Sequence, residues 1–109
     1  MHYKNYDETI EGNSIIRFYK ISCRERNGWF MPGDKAYYTK DHNDDLIFHR
    51  EDGPAVELAN GTKQWHINGK LHRLDGPAMV TYFGRNEWHI DGVKYTEKAF
   101  NQKILDMFL

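Results

Sequence analysis

The chain reads as an all-β protein: an antiparallel meander of β-hairpin repeats, preceded by an irregular N-terminal hairpin and closed by one C-terminal helix. Three observations predict this class. First, residues 49–92 state one pattern twice. His49-Arg50-Glu51-Asp52-Gly53-Pro54-Ala55 leads to Trp65-His66-Ile67-Asn68-Gly69, and His72-Arg73-Leu74-Asp75-Gly76-Pro77-Ala78 leads to Trp88-His89-Ile90-Asp91-Gly92. Equivalent residues lie 23 positions apart, from His49/His72 through Gly61/Gly84 to Gly69/Gly92. A register held that long without an insertion marks a tandem repeat. Second, each unit carries turn signals at fixed places: Asp-Gly-Pro, then Asn60-Gly61 or Phe83-Gly84, then Asn68-Gly69 or Asp91-Gly92. The segments between them are too short for stable helices and alternate in polarity, as hairpin strands do. Third, hydrophobic residues are only 39% of the chain while aromatics reach 15%, so the core must lean on large rings, which bury much area per residue.

A length of 109 residues leaves room for one domain with a modest core. Within it, residues 1–35 form an N-terminal arm and hairpin, residues 36–95 the hairpin repeats, and residues 96–109 the capping helix. Residues 1–14 are polar and read as a loosely held arm or irregular lead-in. Ile15–Ile21 is rich in β-branched and aromatic residues and predicts a first strand. Arg24-Glu25-Arg26-Asn27-Gly28 reads as its turn, and Trp29-Phe30-Met31 as the return strand, stopped by Pro32-Gly33-Asp34.

Ala36-Tyr37-Tyr38-Thr39 looks like a degenerate counterpart of the later Trp strands. Its turn is enlarged to Asp41-His42-Asn43-Asp44-Asp45 where the later units use two residues. Within the two clean units, alternation places Trp65 with Ile67, and Trp88 with Ile90, on one strand face and leaves His66 and His89 on the other. The Trp face is the expected core. In the tail, Phe100, Ile104, Met107 and Phe108 fall at helical spacing behind Thr96, which is placed to cap the first turn. Repeat arrays need their exposed apolar end covered, so this helix is expected to cap the last unit.

The net charge is −1 with both signs mixed along the chain, which gives no electrostatic footprint for duplex nucleic acid or an anionic membrane. Cys23 stands alone, which excludes an intramolecular disulfide and a cysteine-based zinc site. No stretch approaches transmembrane length and the N-terminus lacks an apolar signal region, so a cytoplasmic location is expected.

The pattern His-Arg-x-Asp-Gly-Pro-Ala followed by Trp-His-Ile-(Asn/Asp)-Gly resembles the MORN-like, or MORN-variant, repeat proteins of tailed phages, bacteria and giant viruses. The resemblance covers residues 49–95 and extends into the Tyr95-Thr96-Glu97-Lys98-Ala99-Phe100 segment. Units of the MORN repeat itself are richer in glycine and built on recurring Tyr-x-Gly patterns, a spacing this chain shows once, at Tyr82-Phe83-Gly84. The resemblance implies a hairpin-repeat fold and a small cytoplasmic binding protein, plausibly viral and acting on a component of the host cytoplasm.

Several residues invite a chemical reading. A His beside an Asp suits general-base work and an Arg suits anion stabilisation, so one His-Arg-x-Asp corner would be the machinery of a hydrolase. The motif recurs at the repeat period, however, as structural corners do and active sites do not. On the structural reading Asp52 and Asp75 accept backbone N–H groups within their turns, Gly53 and Gly76 supply unusual φ, and Arg50 and Arg73 pair with the carboxylates or pack across the neighbouring unit. No catalytic residue, metal ligand or cofactor is assigned. Equivalent histidines on successive units would stand roughly 10 Å apart, too far to share an ion. Asp41, Asn43 and Asp45 have the opening spacing of a calcium loop, but Leu46 replaces the needed glycine and Asp52 the bidentate Glu.

Surfaces remain as candidates. Tyr82, Phe83 and Arg85 break the repeat rule, their counterparts being Ala59, Asn60 and Thr62; packing against the C-terminal helix is the plainer use of these rings. With the 41–45 loop, Arg50 and Arg73, they form the candidate binding set. Aromatics flanked by Arg suit a protein partner. The same groups can stack a base and clamp a phosphate. The expectation is therefore a non-catalytic protein that binds and modulates a host protein, in the context of host defence. The alternative is an oligomer that sequesters a nucleotide-type signal. Exposed edge strands make a homo-oligomer an expectation as well.

Overall fold

The computed structural model describes residues 4–109. In chain order the elements are β1 (Tyr6–Glu11), β2 (Ser14–Tyr19), β3 (Cys23–Glu25), β4 (Gly28–Phe30), β5 (Lys35–Lys40), β6 (Leu46–Phe48) and β7 (Val56–Glu57). They continue with β8 (Lys63–Gln64), β9 (His66–Ile67), β10 (Lys70–Leu71), β11 (Met79–Val80), β12 (Asn86–Ile90), β13 (Val93–Tyr95) and α1 (Glu97–Phe108). The fold is mainly β, built from antiparallel hairpins with one C-terminal helix. A nine-stranded sheet runs β1-β2-β5-β7-β8-β11-β12-β13 with β6 beside β5, and two small hairpins, β3–β4 and β9–β10, stand apart from it.

The N-terminal third departs from the expected hairpin. Residues 6–11 form a full strand that pairs β2 from Tyr6↔Tyr19 to Glu11↔Ser14, turning at Gly12 with φ 60°. Residues 1–3 of the expected arm lie outside the described residues. The other side of β2 pairs β5, from Ile15↔Tyr38 to Phe18↔Lys35. Trp29–Phe30 therefore does not return along β2. It pairs with Cys23–Glu25 as a hairpin of its own, folded over the sheet. The polar sequence of β1 conceals a strand because five of its six residues are exposed, and main-chain pairing along β2 supplies what side-chain burial does not.

The repeat has a simple backbone logic. At Tyr37 the strand forks: Tyr37 N–H donates to Ala55 O (2.7 Å), while Tyr37 O accepts from His49 N–H (3.0 Å). Trp65 does the same in the next unit, donating to Ala78 O (2.7 Å) and accepting from His72 N–H (3.0 Å). The segment His-Arg-x-Asp-Gly-Pro-Ala is thus a corner that leaves one aromatic residue and returns to it. Each unit then closes on a two-residue turn in which both residues have positive φ, 49° and 82° at Asn68-Gly69 and 50° and 81° at Asp91-Gly92. Asparagine, aspartate and glycine tolerate this conformation best, which accounts for those residues at those places.

The core lies at the N-terminal end, between the sheet and the β3–β4 hairpin. Tyr19, Cys23, Phe30, Ala36, Tyr38 and Val56 form it, with Tyr6, Leu46 and Phe48 packed alongside. Tyr19 stacks on Phe30 at 4.2 Å and shares a 2.7 Å hydroxyl hydrogen bond with Tyr38, so both polar tips are satisfied inside an aromatic cluster. Along the array the interior position of Tyr38 passes to His66 and His89, each 8% exposed.

This overturns the expectation that the indoles and Ile67 form the core, while Ile90, expected on the same face as Trp88, is buried. Strands β8 and β9 are two residues each and break at Trp65, so alternation does not hold one face there; in the unbroken β12, His89 and Ile90 are both buried while Trp88 is only half-buried. Ala55 and Ala78 are fully buried, and the buried rings of these units are the imidazoles of His66 and His89. Each indole turns outward and remains only partly buried.

The helix caps as expected: Thr96 Oγ1 accepts from Ala99 N–H (3.1 Å), and Phe100 is the buried residue of α1, against β12 and β13. Among the described residues, no helix is long and apolar enough to cross a membrane.

Candidate functional site

Each corner is closed by its arginine. Arg50 Nε donates to Asp52 Oδ1 (3.0 Å) and its Nη1 to Pro54 O (3.2 Å), while the guanidinium lies 4.0 Å over the Tyr37 ring. Arg73 repeats this on Asp75 (2.9 Å), Pro77 O (3.1 Å) and the Trp65 ring (3.9 Å). The hydrogen bond from Arg50 holds the Asp52 carboxyl below its usual range. The pairing of Arg with Asp agrees with the sequence reading, but the glycine role does not. Neither Gly53 nor Gly76 has positive φ. A Cβ at those positions would meet the arginine Cζ at 2.9 and 3.0 Å, so glycine is required because the guanidinium lies across it.

The corner histidines serve the following unit. His49 Nδ1 accepts from Asn68 N–H (2.9 Å) and His72 Nδ1 from Asp91 N–H (3.0 Å), each pinning the next two-residue turn. A backbone N–H only donates, so Nδ1 carries the lone pair and Nε2 the proton. In neither corner does His bond the Asp of its own motif, because that Asp holds Arg. The carboxylates nearest these rings are instead Glu51, 3.7 Å from His49 Nε2, and Asp91, 3.3 Å from His72 Nδ1.

The interior histidines differ. His66 Nε2 pairs with Gln64 Oε1 (3.0 Å) and His89 Nε2 with Glu87 Oε1 (3.1 Å), whereas Nδ1 of both rings is buried without a partner among the described residues. Burial, with a smaller contribution from nearby His89, lowers the His66 pKa to about 4. The hydrogen bond from His89 pulls the Glu87 carboxyl down.

The 41–45 loop is occupied with its own geometry. Asp41 Oδ1 accepts from Asn43 N–H (2.8 Å) and Asp45 N–H (3.0 Å), which holds its carboxyl low. Asp45 binds Arg26 (2.9 Å) and Asp44 lies 3.5 Å from Lys40. Asn43 serves only through its backbone. Among the described residues, no group of three His, Cys, Asp or Glu is placed to hold a metal ion.

Tyr82, Phe83 and Arg85 come together on a turn braced by Thr81, whose Oγ1 accepts from Arg85 N–H (2.8 Å) and donates to Arg85 O (2.6 Å). The two rings meet edge to face at 5.2 Å and are 66% and 64% exposed, so they do not pack against α1. This corrects the plainer reading of these residues. Tyr82 N–H is anchored on Thr62 Oγ1 (3.2 Å), the residue that stands where Arg85 stands one unit earlier.

Sequence reasoning missed a row of clefts at the repeat period. One of about 640 Å³ is flanked by Tyr37, Thr39, Lys40, His49 and Arg50, and one of about 760 Å³ by Trp65, Ile67, His72 and Arg73. A third, of about 660 Å³, lies between Trp88, the Asp75-Gly76-Pro77 corner and α1. The signal was present in the 23-residue register, but it required knowing that the indoles face out.

No family model, curated protein or solved structure matches this chain.

Proposed function

We propose that this chain is a non-catalytic binding protein whose partner is another protein, engaged through the Tyr82–Phe83–Arg85 turn. The observation that carries the reading is two adjacent, largely exposed aromatic rings on a braced turn, at the place where the repeat breaks its own rule. Exposing such rings costs solvation and gives the array nothing, since the preceding unit manages with Ala59 and Asn60. Tyr and Arg are the residues that dominate affinity at protein interfaces. Resemblance to repeat proteins of phages makes a host protein the partner we favour, and modulation of a host defence component the role.

The nucleotide-sequestering reading draws less support. The cleft with the best phosphate-binding groups, at Lys40 and Arg50, also carries Glu11, Glu51 and Asp52, and Arg50 already covers the Tyr37 ring. A phosphate would meet a surplus of carboxylates there.

The test is site-specific photo-crosslinking in host extract, with a photoreactive phenylalanine at position 83 and, as control, at exposed Ile10. A stoichiometric protein adduct at 83, absent at 10 and abolished by Tyr82→Ser, is the expected result. No adduct at 83, with a small molecule retained in the native mass spectrum, would overturn it.

A further inference from the structure

We propose that the cleft beside Trp88 is a binding site for a guanidinium, and that its natural occupant is an arginine side chain of the protein partner. The inference rests on the binding reading above and names the chemistry of a second contact. Its ground is internal. The first two fork aromatics, Tyr37 and Trp65, each carry a guanidinium on the ring at 4.0 and 3.9 Å. Arg73 follows Trp65 by eight residues; eight residues after Trp88 stands Thr96, which caps α1 instead. The preceding residue changes in step. His72 binds the turn of the unit after it, and its counterpart Tyr95 leads into α1 instead.

Ending the array thus removes the arginine and leaves its ring. Among the described residues no cation lies over Trp88, which stays partly exposed and lines the third cleft. The carboxylates around that cleft are Glu97 and Asp75, the latter already paired with Arg73, and no basic group lines it; Arg85 and Lys94 line an adjoining cleft that shares Trp88 and Glu97. Gly76 and Pro77 form one wall and Phe100 of α1 the other. The positive end of the α1 dipole nearby is offset by Glu97 in its first turn. An indole face with a carboxylate at the rim is the combination that already holds Arg73, and it favours a planar guanidinium over a compact ammonium.

The experiment follows the indole N–H resonances of Trp29, Trp65 and Trp88 while the whole protein is titrated with N-acetyl-arginine methylamide, and in parallel with its citrulline and lysine counterparts. Citrulline keeps the shape and removes the charge. The Trp88 signal should move with arginine, half-saturating on the order of 10 mM, the range expected of one cation–π contact helped by one carboxylate. Lysine should move it less and citrulline hardly at all, Trp65 should stay still under Arg73, and Glu97→Gln should weaken the arginine response severalfold.

Equal shifts with citrulline overturn the proposal. So does a Trp29 response matching that of Trp88, because Trp29 is 65% exposed on β4 without this cleft. A flat titration beside a normal crosslink at position 83 sinks the guanidinium site alone. A normal titration without any crosslink sinks the protein-partner reading alone.

Discussion

At the scale of single residues, each corner is a set of contacts that stand or fall together. Gly76→Ala would put a Cβ 3.0 Å from Arg73 Cζ and drive the guanidinium off Trp65, Asp75 and Pro77 O at once. A loss of about 1–3 kcal/mol is expected. If that loss is the arginine's displacement, Gly76→Ala should cost little once Arg73→Ala has been made; urea denaturation of the four-member cycle measures the coupling, and simple additivity would refute this account. His66 gives a second test. Its pKa falls from 6.5 to about 4 on folding, so between those values the unfolded chain holds more protons than the folded one. Its contribution is therefore complete above pH 6.5 and erodes as the pH falls towards 4, by roughly 1.4 kcal/mol per unit at the steepest. Asp41, Asp52 and Glu87 are lowered carboxyls whose contributions persist until lower pH. Melting temperatures between pH 7 and 4.5 should thus decline in the parent and decline much less in His66→Phe. Parallel curves would show that another group is titrating.

At the scale of elements, what was legible in the sequence is what the backbone demands. Turns with paired positive φ leave asparagine, aspartate and glycine as their signature, and a cap leaves Thr96, so the 23-residue hairpin unit and α1 could both be read before any coordinate. Thr96→Ala should cost about 1 kcal/mol and Thr96→Ser almost nothing, measured by denaturant midpoint; an unchanged midpoint in Thr96→Ala would mean that α1 adds nothing to the last unit. What was not legible depends on partners distant in sequence. Strand β1 carries no hydrophobic pattern because β2 holds it through main-chain pairing. The face of Trp65 was misread because an apolar ring can be covered by an arginine eight residues on as well as by a core. Of the candidate site, Tyr82, Phe83 and Arg85 were found by comparing one unit with the next. The clefts escaped because they lie between units and no single strand encodes them.

At the scale of the whole molecule, the extents of 57 × 34 × 20 Å describe a slab lengthened by serial addition of hairpins. The radius of gyration of 15.1 Å exceeds the roughly 13 Å of a compact chain this long. In such an array each unit contacts only its neighbours, and stability approximates a sum of unit and interface contributions. Excision of residues 72–94 is therefore a sharp test, because it joins Leu71 to Tyr95 in register. Trp65-His66-Ile67 would then take the place of Trp88-His89-Ile90, and α1 would follow directly on the Asn68-Gly69 turn. His49 would still accept from Asn68 N–H, so the remaining corner keeps its lock on the unit that follows. The N-terminal core of Tyr19, Phe30 and Tyr38 is untouched by the excision. The shortened chain should unfold cooperatively, with a lower denaturant slope in keeping with its smaller buried surface. Its maximum dimension in solution scattering should fall by roughly 10 Å, two strand spacings. Trp65, having lost Arg73, should acquire the arginine response predicted for Trp88. A chain that collapses without a cooperative transition would show instead that the last two units stabilise one another as a single block, and that the repeat in sequence is not a repeat in energy.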